Sequence, residues 1–513
     1  PHVGEKIFRG IDSQGLIGCA LVSQTWKVLA ENVLLKRWRG RILEACRDGK
    51  AEIVKLLLES SENDFDILNR QINDEMVLAC KNGHNDVVKL LLTQSDIIID
   101  LNATNSFGKT ALMWACQNGH KDVVKLLLEQ SERNIDLNAQ SNFGCTAFML
   151  ACVYGNKDVV KLLLAHSDTS IDLNATHISG KTAMMWACQN DHKDVVKLLL
   201  DQTERNININ AKSNSGKTPL IWACQNGNLE IVQLLLDHSE TNVDLNAIDI
   251  SGMNAFMSAC YEGHNDVVKL LLHHARRRID IYAKNNLGCT AFIMACMQGH
   301  SDVVLLLLDY SERKIDFNAR SDNGTFIITD IPGMTGFLLA CKNRESDVVK
   351  LLLDNSDKKK IDLNAQDADD KMTGLILACK QGDSEIVELF LNHSGKNIDF
   401  NASSKAGMTA FMIACFQGNN SIVKLFLDHP EKNIDLNATD LNIKTAFMHA
   451  CNNGHKEVVK LILDHSEANI NLNARNIYGR TAFMMACQWG YTDIVKLFLD
   501  CSDRNIDFNA TCN

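Results

Sequence analysis

The 513-residue chain has little of what most functional classes require. It carries no basic excess: 52 Lys and Arg face 63 Asp and Glu, a formal net charge of −11 with both signs interspersed. That argues against general binding of nucleic acid or of an anionic membrane surface. No apolar stretch approaches the ~20 residues that a bilayer-spanning helix needs. No secretory signal is present. Proline is scarce, with four residues in all. No nucleophile–base–acid constellation stands out, so no catalytic residue and no cofactor are expected, and an enzyme with its own active site is disfavoured. Gly108-Lys109-Thr110, Gly180-Lys181-Thr182 and Gly216-Lys217-Thr218 look like the end of a phosphate-binding loop. Such a loop needs another glycine five residues earlier so that backbone can curl round phosphate. Ala103, Ala175 and Ala211 occupy those positions, so no nucleotide or other small-molecule substrate is expected.

Cysteine is the opposite case, with 18 residues. Thirteen follow an alanine: Cys46, Cys80, Cys116, Cys152, Cys188, Cys224, Cys260, Cys296, Cys341, Cys379, Cys415, Cys451 and Cys487. Most steps are 36 residues; the first is 34, one is 45 and one is 38. A fixed period of this size is the signature of a repeat architecture. A cysteine kept in one helical slot beside a small alanine behaves as a small buried hydrophobe. That excludes a disulfide framework and places the chain in a reducing compartment, cytoplasm or nucleus. Cys116/His120 and its equivalents are Cys-x₃-His pairs, but zinc needs four converging ligands and each repeat offers two. Structural cysteine and a histidine bracing the turn are the expectation, with no metal.

One unit reads from Asn102. Thr110 is an N-cap for the apolar run Ala111–Cys116, and Gly119 sits where a helix C′ glycine belongs. Asp122–Leu128 repeats its apolar residues at helical spacing. Two or three residues join these helices, so they run antiparallel. Asn105-Ser106-Phe107-Gly108 reads as a tight turn. Each helix is too short to stand alone, so stability comes from stacking copies.

The unit resembles the ankyrin repeat. The resemblance rests on Gly216-Lys217-Thr218-Pro219-Leu220 with Ala223, on Gly119-His120 and Val123–Leu128, and on Asn138-Ala139. It covers about residues 41–513. It implies an all-α solenoid of about thirteen helix-turn-helix units that binds proteins. Two departures stand out. Thr-Ala-Phe-Met or a relative replaces the family's Thr-Pro-Leu-His almost everywhere, Pro219 being the one proline kept, and the inter-repeat loop Gln130–Leu137 is about three residues longer than the family norm. A slightly altered stack follows, not a different fold. The period implies one elongated array on the order of 100 Å long, at ~8–10 Å per helix layer.

Residues 1–40 depart from the repeat and imply two or three short helices, with a break at Asp12–Gly15. They resemble an F-box. Pro1, Ile7, Phe8, Ile11, Asp12, Leu16, Cys19-Ala20-Leu21-Val22-Ser23, Trp26, Leu29-Ala30 and Trp38 match that pattern. The usual leading Leu is missing, and Ser13-Gln14-Gly15 replaces the usual Pro-containing turn. The resemblance implies docking of the small adaptor of a cullin–RING (SCF-type) ubiquitin ligase through Ile7, Phe8, Leu16, Val22 and Trp26. The chain would then be a substrate-recognition subunit. The alternative is a non-enzymatic ankyrin scaffold whose N-terminal helices only cap the array. Pro1 is no initiator, and Asp507-Phe508-Asn509-Ala510 reads as the opening of another unit, so both ends are read as cut.

The 45-residue step inserts nine residues within 325–334. Asn323-Gly324 and Pro332-Gly333 are turn signals around β-prone Phe326, Ile327, Ile328 and Ile331, which predicts a hairpin finger. It is either a tolerated loop or a partner contact. Recognition in such an array falls to the variable positions: two before each turn glycine and two after each Ala-Cys. Phe107, Phe143, Leu287 and Tyr478 at the turns, and Tyr154, Tyr261, Phe416 and Trp489 after Ala-Cys, are the partner-binding candidates with Phe326 and Ile328 of the finger. Trp114, Trp186 and Trp222 share a column that elsewhere holds Leu, Met or Ile, which favours packing over a recognition stripe. Ankyrin repeats are also common substrates of a 2-oxoglutarate-dependent asparaginyl hydroxylase. The resemblance implies modification at Asn102, Asn138, Asn174, Asn364 and Asn437, of which Leu128 before Asp136-Leu137-Asn138 is the model case.

Overall fold

The computed structural model describes residues 11–13, 15–16, 24–38, 41–59, 65–94, 99–130, 134–166, 171–202, 205, 207–237, 243–274, 279–310, 315–322, 333–395, 397–465, 470–501 and 506–511. Among them are 27 α-helices and no strand, only the isolated bridges Ser403↔Thr409 and Thr439↔Thr445. Thirteen helix pairs follow one N-terminal helix, Gln24–Trp38.

The local chemistry of each pair is the one its residues dictate. The first helix, as in Ala111–Gln117, starts where Thr110 Oγ1 accepts from Met113 N at 3.3 Å. Thr146, Thr182, Thr409, Thr445 and Thr481 do the same, and Asn254 takes the role at Met257 N. Such a cap is worth ~1 kcal/mol. Gly119 follows the helix at φ +74°, the left-handed conformation that glycine adopts without a Cβ penalty. The second helix, Lys121–Leu128, buries Val123, Val124, Leu127 and Leu128, each worth roughly 1.5–3 kcal/mol of apolar transfer. The Phe of Thr-Ala-Phe-Met fills the core: Phe148, Phe256, Phe411 and Phe447 are fully buried. The family departure at that position is therefore a packing choice.

Contacts cluster into two compact units, Pro1–Ala223 with Asn228–Ala247, and Cys224–Gly227 with Ile248–Asn513. In the first unit Phe65–Asn82 packs on Ala111–Gln117, that helix on Ala147–Val153, and that one on Ala183–Gln189. Second helices stack on second helices in the same way, from Ala51–Glu59 to Leu229–Asp237. In the second unit the first helices stack from Ala255–Glu262 through Gly336–Asn343 to Ala482–Gln488. Ser346–Lys359 is longer than its equivalents and ends at Lys360, φ +53°.

The N-terminal helix Gln24–Trp38 packs on Ala51–Glu59, so it occupies the column of second helices. It buries Ala30, Val33, Leu34 and Trp38. Trp38 Nε1 reaches Ser13 Oγ at 3.3 Å, and the Lys50 ammonium lies 4.3 Å from the centre of its ring. Arg41 N donates to Trp38 O at 2.8 Å, which ties this helix directly to the first repeat. Asp12, read from the sequence as a break, starts a helical turn: its Oδ1 accepts from Gly15 N at 2.8 Å and its carbonyl from Leu16 N at 3.0 Å. Leu16 is fully buried within this chain. Ile7, Phe8 and Val22 lie outside the described residues; Trp26 stands on the Gln24–Trp38 helix, its side chain outside them.

Candidate protein-binding face

The repeats are joined by three sets of polar contacts, and together these place the candidate residues. The first is a row of backbone bonds between neighbouring turns. In the first unit Asn142 N donates to Phe107 O at 3.1 Å, Ile178 N to Phe143 O at 3.0 Å and Asn214 N to Ser179 O at 2.9 Å. In the second unit Asn286 N donates to Ser251 O, Asp322 N to Leu287 O, Leu441 N to Ala406 O and Ile477 N to Asn442 O. With the backbone held this way, side chains at the turns point outward.

The second set sits at the ends of the first helices. His84, His120, His192, His264, His300 and His455 each lay Nε2 on a carbonyl of the preceding repeat, at 2.7–3.0 Å. The Cys-x₃-His histidines are thus braces, as their position suggested, though they brace the neighbouring repeat and not their own turn. Burial pushes their paired thiols Cys80, Cys116, Cys260 and Cys451 well above the ordinary thiol range. None of the sixteen described cysteines is in a disulfide. Among the described residues no His, Cys, Asp and Glu group is placed to hold a metal ion.

The third set is an asparagine ladder. Asn102 Oδ1 accepts from Asp136 N, Asn138 Oδ1 from Asp172 N, Asn174 Oδ1 from Asn208 N, Asn364 Oδ1 from Asp399 N and Asn437 Oδ1 from Asn471 N, all at 2.7–2.9 Å. The backbone N–H of each of these asparagines also donates to Oδ1 of the aspartate two positions earlier. The five residues proposed for hydroxylation therefore make the same bond between repeats, three in the first unit and two in the second. The sequence showed the Asp-x-Asn spacing but not that it links repeats.

On this frame most partner-binding candidates are exposed. In the first unit Phe107, Phe143 and Tyr154 are each more than half exposed. In the second, Phe416, Tyr478 and Trp489 are exposed, while Tyr261 and Leu287 are partly buried. Phe416 stands beside a cavity of about 250 Å³ lined also by Met372, Lys380, Met408 and Ile413. It meets the buried His449 edge-on at 5.7 Å, and His449 Nε2 lies 3.1 Å from Asp440 Oδ2. Phe326 and Ile328, with the hairpin finger expected around them, lie outside the described residues. Ser321 N donates to Met334 O at 3.0 Å, thirteen residues on, where Ser141 N meets Cys145 O four residues on. The difference of nine is the length of the insertion.

Sequence reading missed Leu441 and Ile443, which are 73% and 48% exposed. They belong to the same row. Ile443 takes the turn-glycine position at φ +56°, as Lys371 does at φ +53°. Without the glycine the turn was not recognised, although Asp440 and the repeat spacing mark it.

Lys109, Lys181 and Lys217, read above as imitating a phosphate loop, have another partner. The Lys109 ammonium lies 4.4 Å from the Trp114 ring centre and donates to Gln117 Oε1 at 2.5 Å. Lys181 lies 4.2 Å from Trp186 and 3.8 Å from Trp222, and Lys217 4.9 Å from Trp222. Burial lowers the pKa of Lys109 and of Lys181 from the ordinary lysine value. The three tryptophans are partly buried, one face against the core and one toward these lysines.

No described helix is long and apolar enough to cross a membrane. A family model described as "Ankyrin repeats (3 copies)" matches residues 42–141, 132–213, 204–285, 277–367, 337–440 and 432–512. A comparison with curated proteins finds no match.

Proposed function

The chain belongs to the ankyrin-repeat family, and from that premise we propose that it is the substrate-recognition subunit of an SCF-type ubiquitin ligase. Ankyrin repeats make it a protein-interaction chain; proteins of this kind are typically non-enzymatic. In this reading the N-terminal segment docks the ligase adaptor through Ile7, Phe8, Leu16, Val22 and Trp26, and the repeats hold the protein to be modified. The observation that carries the recognition half is the row of bonded turns presenting Phe107, Phe143, Tyr478 and their neighbours to solvent. Rigid backbone with exposed aromatic side chains is the composition of interaction hot spots. The adaptor half rests on the F-box-like residues alone. A cytoplasmic or nuclear setting fits the buried free thiols.

A second reading has its own observation. Gln24–Trp38 covers the first repeat from the second-helix column, as a cap on an open array would. Size exclusion of the full chain with the adaptor–cullin pair separates the two. Co-elution supports the receptor; its absence leaves a capped scaffold. Hydroxylation of Asn102, Asn138, Asn174, Asn364 or Asn437 belongs to the same family reading. Intact-mass analysis after co-expression with the hydroxylase is its test, and no added oxygen on any of the five removes it.

A further inference from the structure

The turn-and-first-helix face of the first unit has a charge that the whole chain does not. Residues 102–120, 138–156, 174–192 and 210–228 make up the turns and first helices of four successive repeats. They contain Lys109, Lys181, Lys212 and Lys217 and a single carboxylate, Asp191, in a chain of net charge −11. The acids of these repeats flank those segments: Asp122, Asp158, Asp194 and Glu230 stand on the second helices, and Asp100, Asp136 and Asp172 stand two residues before the segments begin, their Oδ1 atoms taken by Asn102 N, Asn138 N and Asn174 N. Three of the four lysines stand against tryptophan rings, and Lys81 adds a fourth ammonium 4.6 Å from Trp114.

Packing alone does not call for tryptophan here. Leu150 fills the same slot in the repeat between Trp114 and Trp186 and is fully buried. The indole Nε1 of Trp114, Trp186 and Trp222 is buried and donates no hydrogen bond, which costs stability that a leucine would not. What the indoles add is a flat negative face that holds an ammonium group at a fixed place on the surface. Lys109 and Lys181 are each partly desolvated there. An arriving carboxylate would meet these charges in a medium less screening than bulk water. Beside this stripe stand Phe107, Phe143, Tyr154 and Ile178, each more than half exposed. Basic groups and exposed apolar side chains therefore share one face across four repeats.

We propose that this face of the first unit is a docking groove for an extended acidic segment of a protein partner, its carboxylates meeting Lys109, Lys181 and Lys217 and its apolar side chains meeting Phe107, Phe143 and Ile178. Protein is favoured over nucleic acid because the positive groups are few and stand among exposed apolar side chains, which suits a segment that mixes carboxylates with apolar side chains better than a continuous phosphate backbone. The proposal rests on the repeats being a protein-binding surface. It is independent of the adaptor, which would bind residues 1–40.

The test is a labelled peptide of Glu, Asp and Phe, long enough to span four repeats, titrated into the full chain by fluorescence anisotropy. Intrinsic tryptophan emission is followed in parallel. The expected result is saturable binding with a change in indole emission. The triple variant Lys109→Gln, Lys181→Gln, Lys217→Gln weakens it about tenfold, the combined effect of three partly screened ion pairs. The triple variant Lys121→Gln, Lys157→Gln, Lys193→Gln, on the second helices, leaves it unchanged. If the first triple variant is poorly folded by circular dichroism, Phe107→Ser with Phe143→Ser serves instead, since both side chains are exposed, and it too weakens binding. No saturable binding at millimolar peptide would overturn the proposal. So would equal affinity for a lysine-rich peptide, unchanged affinity in the groove variants, or tighter binding of a single-stranded oligonucleotide.

Discussion

The imidazole of His264 lies against Gly227 of the preceding repeat and donates from Nε2 to the carbonyl of Gln225 at 2.9 Å. A Cβ on Gly227 would come within 2.6 Å of His264 Nδ1, and the residue sits at φ +71°. Gly227→Ala therefore carries two costs, the left-handed backbone and a displaced histidine. Gly490, at φ +70° with nothing within 4 Å of a built Cβ, carries only the first. Thermal unfolding should show Gly490→Ala destabilised by ~1 kcal/mol and Gly227→Ala by more. Equal losses would mean that the histidine contact contributes nothing.

Ile443 is the converse case. A β-branched residue at φ +56° is strained by roughly 1–3 kcal/mol, while a glycine there costs roughly 0.5–1 kcal/mol of unfolded-state entropy. Its side chain is 48% exposed, so little packing is lost. Ile443→Gly should raise stability by ~1 kcal/mol in urea unfolding, and a lower stability would contradict the strain argument. If the protein uses Leu441 and Ile443 as contacts, the same substitution weakens partner binding while it stabilises the fold.

The buried thiols set the alkaline limit. Burial raises Cys46 to about 12 and Cys289 to about 11, and lifts the Ala-Cys thiols Cys80, Cys116, Cys152 and Cys451 further. Below the ordinary thiol range, near ~8.5, both folded and unfolded chains keep the proton. Above it only the unfolded chain releases it, so stability is full below that range and falls as pH rises. Unfolding midpoints should drop from about pH 8.5 upward, the loss continuing until Cys289 and Cys46 themselves ionise in the folded chain, at about 11 and about 12. Native labelling at neutral pH should modify Cys487, which is exposed, and spare Cys116, Cys260 and Cys415. Labelling of the buried set without unfolding would contradict the structure.

Asn174 tests the ladder. Its Oδ1 accepts from Asn208 N at 2.8 Å across the repeat boundary. Asn174→Ala removes that bond at an exposed site where water substitutes, so the loss is modest, ~0.5–1.5 kcal/mol. The local signature is sharper. The Asn208 amide should exchange faster in hydrogen-exchange measurements, while Asn214, bonded to Ser179 O, should not change. Uniform acceleration of both would mean that the rung acts only through global stability.

The parts legible in the sequence are those set by residues close together in the chain. Thr110 caps and Gly119 terminates because a hydroxyl three residues before an amide, and a missing Cβ, act locally. The parts that were not legible depend on neighbours a repeat away. The histidine after each glycine recurs with the period, but its acceptor, 37–39 residues back, is visible only once repeats are stacked. Gln24–Trp38 reads as helical, yet nothing in it announces that it joins the second-helix column. Ile443 and Lys371 broke the glycine marker and hid their turns. The lysines of Gly-Lys-Thr were tested against a phosphate loop and set aside. Their partners, the tryptophans five residues on, had been sorted into a packing column, so the pairing went unseen.

The measurement that bears most directly on the account is calorimetry of the adaptor–cullin pair into the full chain and into its double variant Phe8→Ala, Trp26→Ala. Repeat-surface variants such as Phe107→Ser serve as the control. The account predicts saturable binding by the full chain and by the repeat-surface variant, and its loss in the double variant. Absence of binding by the full chain, or binding that the double variant retains, would contradict the ligase-receptor reading and leave a capped ankyrin scaffold.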